Sequence, residues 1–208
     1  MGDFFGPYMS AAERRRMAAA ARAEMKRRGV TLQPVVIEGR RIANTFWGRA
    51  WCDHLESFSD YVNRLPRGRT YVRNGSVLHL EIERGSISAR VQGSLLYSVL
   101  VGIDPLAPRQ WKKIKERCTG RIGSMLDLLK GKLSDQVMRV VTDRKDGLFP
   151  APREIRMQCS CPDQARMCKH IAAVLYGAGA RLDVRPELLF LLRGVDPDEL
   201  VGANAEAA

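Results

Sequence analysis

Cys159, Cys161, Cys168 and His170 fall within the stretch "MQCSCPDQARMCKH", residues 157–170, which holds three of the chain's five cysteines and one of its three histidines. Their spacing is C-x-C-x6-C-x-H. Three soft thiolates and one imidazole suit a tetrahedral Zn2+, and four protein donors leave no position for a reacting water, as in structural sites. A thioredoxin-like redox pair wants C-x-x-C, and a cysteine nucleophile has no use for two further thiols beside it. The spacing favours zinc, with a redox or catalytic thiol as the weaker alternative. Formation of a structural zinc site contributes on the order of 10–16 kcal/mol to the apparent folding of finger peptides, so this part of the chain is expected to depend on its metal. An odd number of cysteines, three of them clustered, argues against a disulfide framework. The isolated Cys52 and Cys118 are expected to be small buried residues.

Several elements must position these donors. "EIRMQCSC" has strand character, "PD" turns the chain, and "HIAAVLYGAGA" has helical composition, with Cys168 and His170 at its entrance and Ile171, Val174 and Leu175 packing inward. Upstream, Thr45 is expected to cap a helix in which Trp47, Trp51, Leu55, Phe58, Val62 and Leu65 recur at three- and four-residue steps, a core stripe. Pro66 and Gly68 are expected to break that helix, and Asn74-Gly75 and Arg84-Gly85 to form turns of an antiparallel meander of three or four strands. Alternation over Val77–Ile82 and Ile87–Val91 supports the meander and places His79 on its outer face, as a structural or solvated histidine.

A short strand is expected at Val35–Ile37. Residues 106–147 read as helical, with Pro108 near one start, Trp111 and Ile114 inward, and Ser134 opening a later helix through Val137, Val140 and Val141. Ser10 and Glu13 form a capping box for a first helix, with Gly29 at its end and Met17, Ala21 and Met25 as its apolar stripe. The fold class is α+β: helices flanking a small antiparallel sheet, followed by a small zinc module. The expected divisions are a basic helical arm at 1–30, an α+β body at 31–149, a zinc module with a C-terminal helix at 150–200, and a disordered tail at 201–208.

The chain carries 34 Lys and Arg against 23 Asp and Glu, a net charge of +11 that favours polyanionic partners. Arg64, Arg67, Arg69 and Arg73, interleaved with Tyr71, form the best localised nucleic-acid candidate, since arginine forks suit phosphates and a ring suits a base. Lys112, Lys113 and Lys115, with Arg117 and Arg121, form a second basic patch. The first helix is also strongly basic, and either docks on DNA or extends into solvent.

Other readings are disfavoured. No stretch approaches the roughly 18–20 apolar residues of a membrane span, and the start lacks the features of a secretory signal, so a cytoplasmic protein is expected, with association with the nucleoid as the alternative. There is no phosphate-binding G-x-x-x-x-G-K-[ST] loop and no H-E-x-x-H motif. His54, beside Asp53 and Glu56, is read as part of a surface pair. No enzymatic activity is expected.

The order Cys159, Cys161, Cys168, His170, with Pro162 after the second cysteine and an apolar helix after the histidine, resembles the SWIM zinc finger. "RLPRGRTYVRNGSVLHLEIERGSISARVQGS", with "FWGRAWCDHLESF" upstream, is also similar to bacterial SWIM-finger proteins linked by gene neighbourhood to SWI/SNF-type helicases. The resemblance implies zinc binding with a role in binding DNA or protein, and no reaction. It makes the expected function that of a nucleic-acid-binding accessory protein, with DNA preferred over RNA and a SWI/SNF-type helicase or ATPase as partner. Lys169, Arg166 and Arg156, near the cluster, are placed for phosphate. The alternative is a protein-interaction adaptor using the finger and the apolar "LLFLL" at 188–192, which otherwise reads as a core helix.

Overall fold

The computed structural model describes residues 9–58 and 64–202, so Val62 of the expected stripe, and 203–208 of the expected tail, lie outside the described residues. A four-stranded antiparallel sheet runs in the order β1 (Val77–Glu83), β2 (Ser86–Gln92), β3 (Leu96–Ile103), β4 (Ile155–Cys159). Helices flank it, as the α+β reading expects. In β1 and β3 buried residues alternate with accessible ones, so Leu80, Ile82, Tyr97, Val99, Val101 and Ile103 share the covered face. A register shift between Val77 and His79 leaves Leu78 as the extra residue of a bulge.

The zinc segment is not an appendage of this body. β4 is paired along β3, with Val99 opposite Cys159. The helix that follows it in the core, α7 (Lys169–Val184), packs against α2 (Phe46–Glu56), α3 (Leu65–Arg73) and all four strands. Every residue of α7 from His170 to Gly179 is buried, so the helix is enclosed on all sides rather than along one stripe. Trp47 and Trp51 of α2 lie in the core as expected, and their indole N–H groups donate to the carbonyls of Leu128 at 2.9 Å and Leu175 at 2.8 Å.

α2 is capped from outside itself. Thr45 occupies the cap position without a side-chain bond to its own helix; the Asp183 carboxylate, from the end of α7, accepts from the backbone N–H of Asn44 (2.9 Å) and Thr45 (2.5 Å) and from the Thr45 hydroxyl (2.6 Å). A carboxylate at a helix N-terminus answers both its orphan donors and its dipole. The start of α2 is thereby fastened to the end of α7.

The stretch around Pro66 and Gly68 differs from expectation. α2 ends at Glu56, and 65–73 is a separate helix, α3, with Pro66 in its first turn, where a missing N–H costs nothing. Asn74-Gly75 ends this helix, Gly75 taking φ +68°, instead of forming a hairpin turn. Gly68 serves contact: a Cβ there would stand 2.4 Å from the Ala172 Cβ and 2.8 Å from the Ala173 nitrogen, so α3 and α7 meet backbone to backbone. Val35–Ile37 is extended but forms no strand. Val35 donates to Val77 O (3.1 Å) and Gln33 O accepts from Leu80 (3.0 Å), but Pro34 between them has no N–H to continue a ladder.

The remaining helices close the core. α1 (Ala11–Arg27) carries the expected Ser10–Glu13 capping box and lies against β1 and β2. α4 (Pro108–Cys118), α5 (Met125–Leu129) and α6 (Asp135–Val141) occupy the expected helical region. α8 (Glu187–Arg193) buries Leu188, Leu189, Phe190 and Leu192, so "LLFLL" is a core helix. Val201 and Gly202, placed in the tail on sequence grounds, end the short helix α9 (Asp198–Gly202). Arg193 is fully buried; it donates to Asp104 O at 2.6 Å and to Glu154 Oε1 at 3.1 Å, pinning α8 to the turns flanking β3 and β4.

His54 is not the surface residue expected. It is 7% exposed, with its Nε2 3.0 Å from Pro150 O and its ring between Phe58 and Phe149. Burial lowers its pKa from the ordinary 6.5, because the charged form would lose its water. A histidine pKa depressed by folding gives stability that is full above 6.5 and is lost as pH falls through the lower folded value. His54→Asn is therefore expected to reduce the loss of stability on acidification below pH 6.5, by up to about 1.4 kcal/mol per pH unit, measured by urea unfolding at several pH values. Gly68→Ala is expected to cost about 1–3 kcal/mol in the same assay by forcing α3 off α7, whereas Gly29→Ala, with open space around the site, tests backbone conformation alone.

Candidate metal centre

Two elements and the loop between them bring the four donors together. Cys159 ends β4 on the covered face, opposite Val99 of β3. Cys161 follows in the turn; Cys168 is the N-cap of α7, its sulfur accepting from Ile171 N–H at 3.5 Å. His170 lies in the first turn of α7 and is 2% exposed. The donor atoms all lie within 4.8 Å of one another, and no other group of three or more such residues among those described is placed to hold a metal.

The ring of His170 is oriented for this role. Its Nδ1 faces the sulfurs of Cys159 (3.8 Å) and Cys168 (3.9 Å). Tyr97 of β3 stacks on it with centroids 4.5 Å apart, and Tyr71 of α3 meets it edge-on at 5.3 Å. On its far side Gly93 leaves room: a Cβ there would stand 2.7 Å from Nε2. An ion with zinc's bond lengths at tetrahedral angles sets its donors about 3.5–3.8 Å apart. The two nitrogen–sulfur spacings to Cys159 and Cys168 stand near that range, and all four donors lie within 4.8 Å of one another, so their types and closeness suit such an ion.

Left to themselves, the thiols share charge unevenly. The Cys159 S–H bonded to Cys168 pushes the Cys168 thiol down to about 4, while that bond and burial push Cys159 up. Burial raises Cys161 as well. A metal that takes all three as thiolates must displace protons, so its affinity falls with acid. Cys52 and Cys118 are buried as expected, and burial pushes the Cys52 thiol up to about 12, leaving it inert.

The expected nucleic-acid residues are placed unevenly. On α3, Arg67 and Arg73 are exposed, Arg73 donating to Arg40 O; Arg64 pairs with Asp163 at 3.2 Å. Arg69 is paired with Glu56 and donates to Tyr176 Oη at 3.1 Å. Tyr71 is only 7% exposed, and its ring is already occupied by His170, Arg14 and Lys169. Lys112, Lys113 and Lys115 sit on α4, with Lys112 and Lys113 exposed and Lys115 paired with Glu199. Of the cations near the cluster, Arg156 pairs with Asp104 and Arg166 reaches Pro152 O, while Lys169 lies over Tyr71.

One grouping was hidden in the sequence. Arg40, Arg41, Arg49, Arg69 and Arg73 line a single cleft of about 190 Å³, with Asp53, Glu56 and Tyr176. Three of these arginines come from outside α3, and their separation along the chain gives no local signal. His79 lines a different, open groove on the outer face of the sheet, with Ser88, Arg90, Ser98 and Gln158.

Removal of metal by a chelator is expected to lower the thermal midpoint and to loosen the β4–α7 junction, followed by amide exchange at Ile171 and Ala172. Cys168→Ser and His170→Gln are each expected to reduce bound metal per chain, measured by elemental analysis, whereas Cys52→Ser leaves it unchanged.

No solved structure matches the chain. The uncharacterized protein Rv2102 of Mycobacterium tuberculosis is 34% identical over 170 residues, covering 80% of this chain. The chain spans about three fifths of that relative's length (61%). Residues 151–177 match the family model described as SWIM zinc finger, and this span contains the whole Cys/His cluster. The chain therefore carries a SWIM zinc finger, built into its sheet and its central helix.

Proposed function

We propose that this protein is a zinc-binding, non-enzymatic accessory factor that binds nucleic acid, DNA in preference to RNA, and works beside a SWI/SNF-type helicase or ATPase. The donor set supports zinc: three thiolates and an imidazole suit its softness and its tetrahedral geometry, and with four protein donors the ion braces structure instead of activating water. When bound, it would be held by Cys159, Cys161, Cys168 and His170 and would join strand to helix.

The observation that carries the nucleic-acid reading is the arginine cleft. Five arginines line it beside two acidic residues, Asp53 and Glu56, within a chain of net charge +11. Guanidinium forks match phosphate oxygens two at a time, and each phosphate neutralised releases counterions. Arg41 and Arg49 are exposed at the rim, while Arg69 is held by Glu56 and Tyr176, which fixes part of the cleft before any ligand arrives. The helicase partnership rests on the resemblance to SWIM-finger proteins. An adaptor that docks through residues 188–192 has less support, because four of those five side chains are buried and Leu191 is 38% exposed.

Fluorescence anisotropy of labelled DNA with zinc-loaded protein, across a salt series, tests this reading. Binding is expected to weaken with a log–log slope of about −0.9 per neutralised phosphate on duplex and about −0.7 on single strands. Arg41→Gln with Arg49→Gln is expected to weaken binding by about tenfold or more and to make the slope shallower by about two. Absence of binding to duplex, single-stranded DNA and RNA at low salt overturns the proposal.

A further inference from the structure

The inward face of α1 is built from cations. Arg14, Ala18 and Arg22 follow at i, i+4 and i+8, and Ala18 is the buried residue of the helix, so the two arginines flank it on the side turned to the protein. The expected stripe of Met17, Ala21 and Met25 lies beside this line and is only partly buried. The Nε atoms of both Arg14 and Arg22 are shielded from solvent and have no hydrogen-bond partner among the described residues.

These guanidiniums gather around the turn between α3 and β1. Arg14 lies over the Tyr71 ring at 5.5 Å, and Lys169 lies over the same ring at 5.7 Å. Arg15 donates from Nη1 to Asn74 Oδ1 at 3.3 Å. A Cβ at Gly75 would stand 3.4 Å from Arg22 Nη2, which places that guanidinium beside the turn. Asn74 is 9% exposed, and its amide, drawn toward α1 through Oδ1, keeps Nδ2 buried without an acceptor among the described residues.

Among the described residues, no carboxylate is paired with this group. α1 has two carboxylates, and both are engaged elsewhere: Glu13 in the capping box with Ser10, Glu24 with Arg27 and Arg28. No ion pair among the described residues includes Arg14, Arg15, Arg22 or Lys169. Four cations set around the Tyr71 ring and the Asn74-Gly75 turn, with no ion pair among the described residues, make a surface stable in company with an anion that has several oxygens.

We propose that Arg14, Arg15, Arg22 and Lys169 form a second phosphate site that takes backbone phosphates of bound nucleic acid; this rests on the nucleic-acid reading above. Its place gives it a link to the metal. Tyr71, which carries Arg14 and Lys169, packs edge-on against His170, and Lys169 lies between Cys168 and His170 in the chain. The finger thereby sets the floor of the site.

The test compares the zinc-loaded full chain with three variants by anisotropy on labelled DNA. Arg14→Gln with Arg22→Gln is expected to weaken binding by at least about tenfold and to make the salt slope shallower by about two. Arg27→Gln with Arg28→Gln removes the same charge from the same helix at residues tied to Glu24, and is expected to lose less than about threefold. Arg15→Gln, at an exposed side chain, is expected to fold normally and to lose up to about tenfold, so it decides the matter if the Arg14, Arg22 variant fails to fold. If unsubstituted protein binds and the Arg14, Arg22 and Arg15 variants bind equally well, the site is overturned while the nucleic-acid reading stands. If unsubstituted protein binds nothing, both fall. Displacement of DNA by inorganic phosphate at matched phosphate concentration assigns the site to free phosphate and overturns the nucleic-acid assignment.

Discussion

The tie between the end of a strand and the start of a helix governs this molecule. Cys159 is the last residue of β4, and Cys168 and His170 flank the first residue of α7. β4 is held by its ladder to β3, and α7 is the helix around which α2, α3 and the sheet are packed. A small module held by metal alone would melt with little effect on its neighbours. Here the four donors sit where the central helix begins, His170 meets the Tyr71 ring edge-on, and the same helix packs on α2, α3 and the sheet.

α7 meets its neighbours closely because small residues stand at the crossings. Gly68 lets α3 reach the backbone at Ala172, and Asp183 at the far end of α7 holds the first turn of α2. Buried charge appears where an element has to be placed by direction as well as by burial. Arg193 must reach both Asp104 O and Glu154, two groups from different turns, and only one docking of α8 satisfies them together. Apolar contact alone would be indifferent to small slides of that helix.

Much of this was legible in the residues themselves. The Cys/His cluster could be read because chemistry constrains the type and spacing of metal donors, and the Trp47 and Trp51 stripe because burial enforces helical periodicity. The residues around Pro66 misled because proline and glycine each have two meanings: a break, or the start of a helix and a close crossing. His54 was misread because its neighbours in sequence are acidic, whereas its neighbours in space are Phe58, Phe149 and Pro150. The cleft joining Arg40, Arg49 and Arg73, and the inward arginines of α1, depend on which segments the fold brings together, and no local pattern announces that.

The two rims of the sheet are treated differently. Along β1, the stretch from Gln33 to Val35 uses two of the outward-facing backbone groups, and Pro34 between them offers no donor. At the other rim, β4 has five residues, carries Arg156 outward, and passes at Cys159 into the bend of the finger. A short charged rim that ends at the Cys/His cluster gives a foreign strand little length on which to pair. The bend that carries the chain from Cys159 toward Cys168 and His170 thus has a second consequence: it turns the backbone away from the sheet edge, where another molecule's strand would otherwise find length to pair.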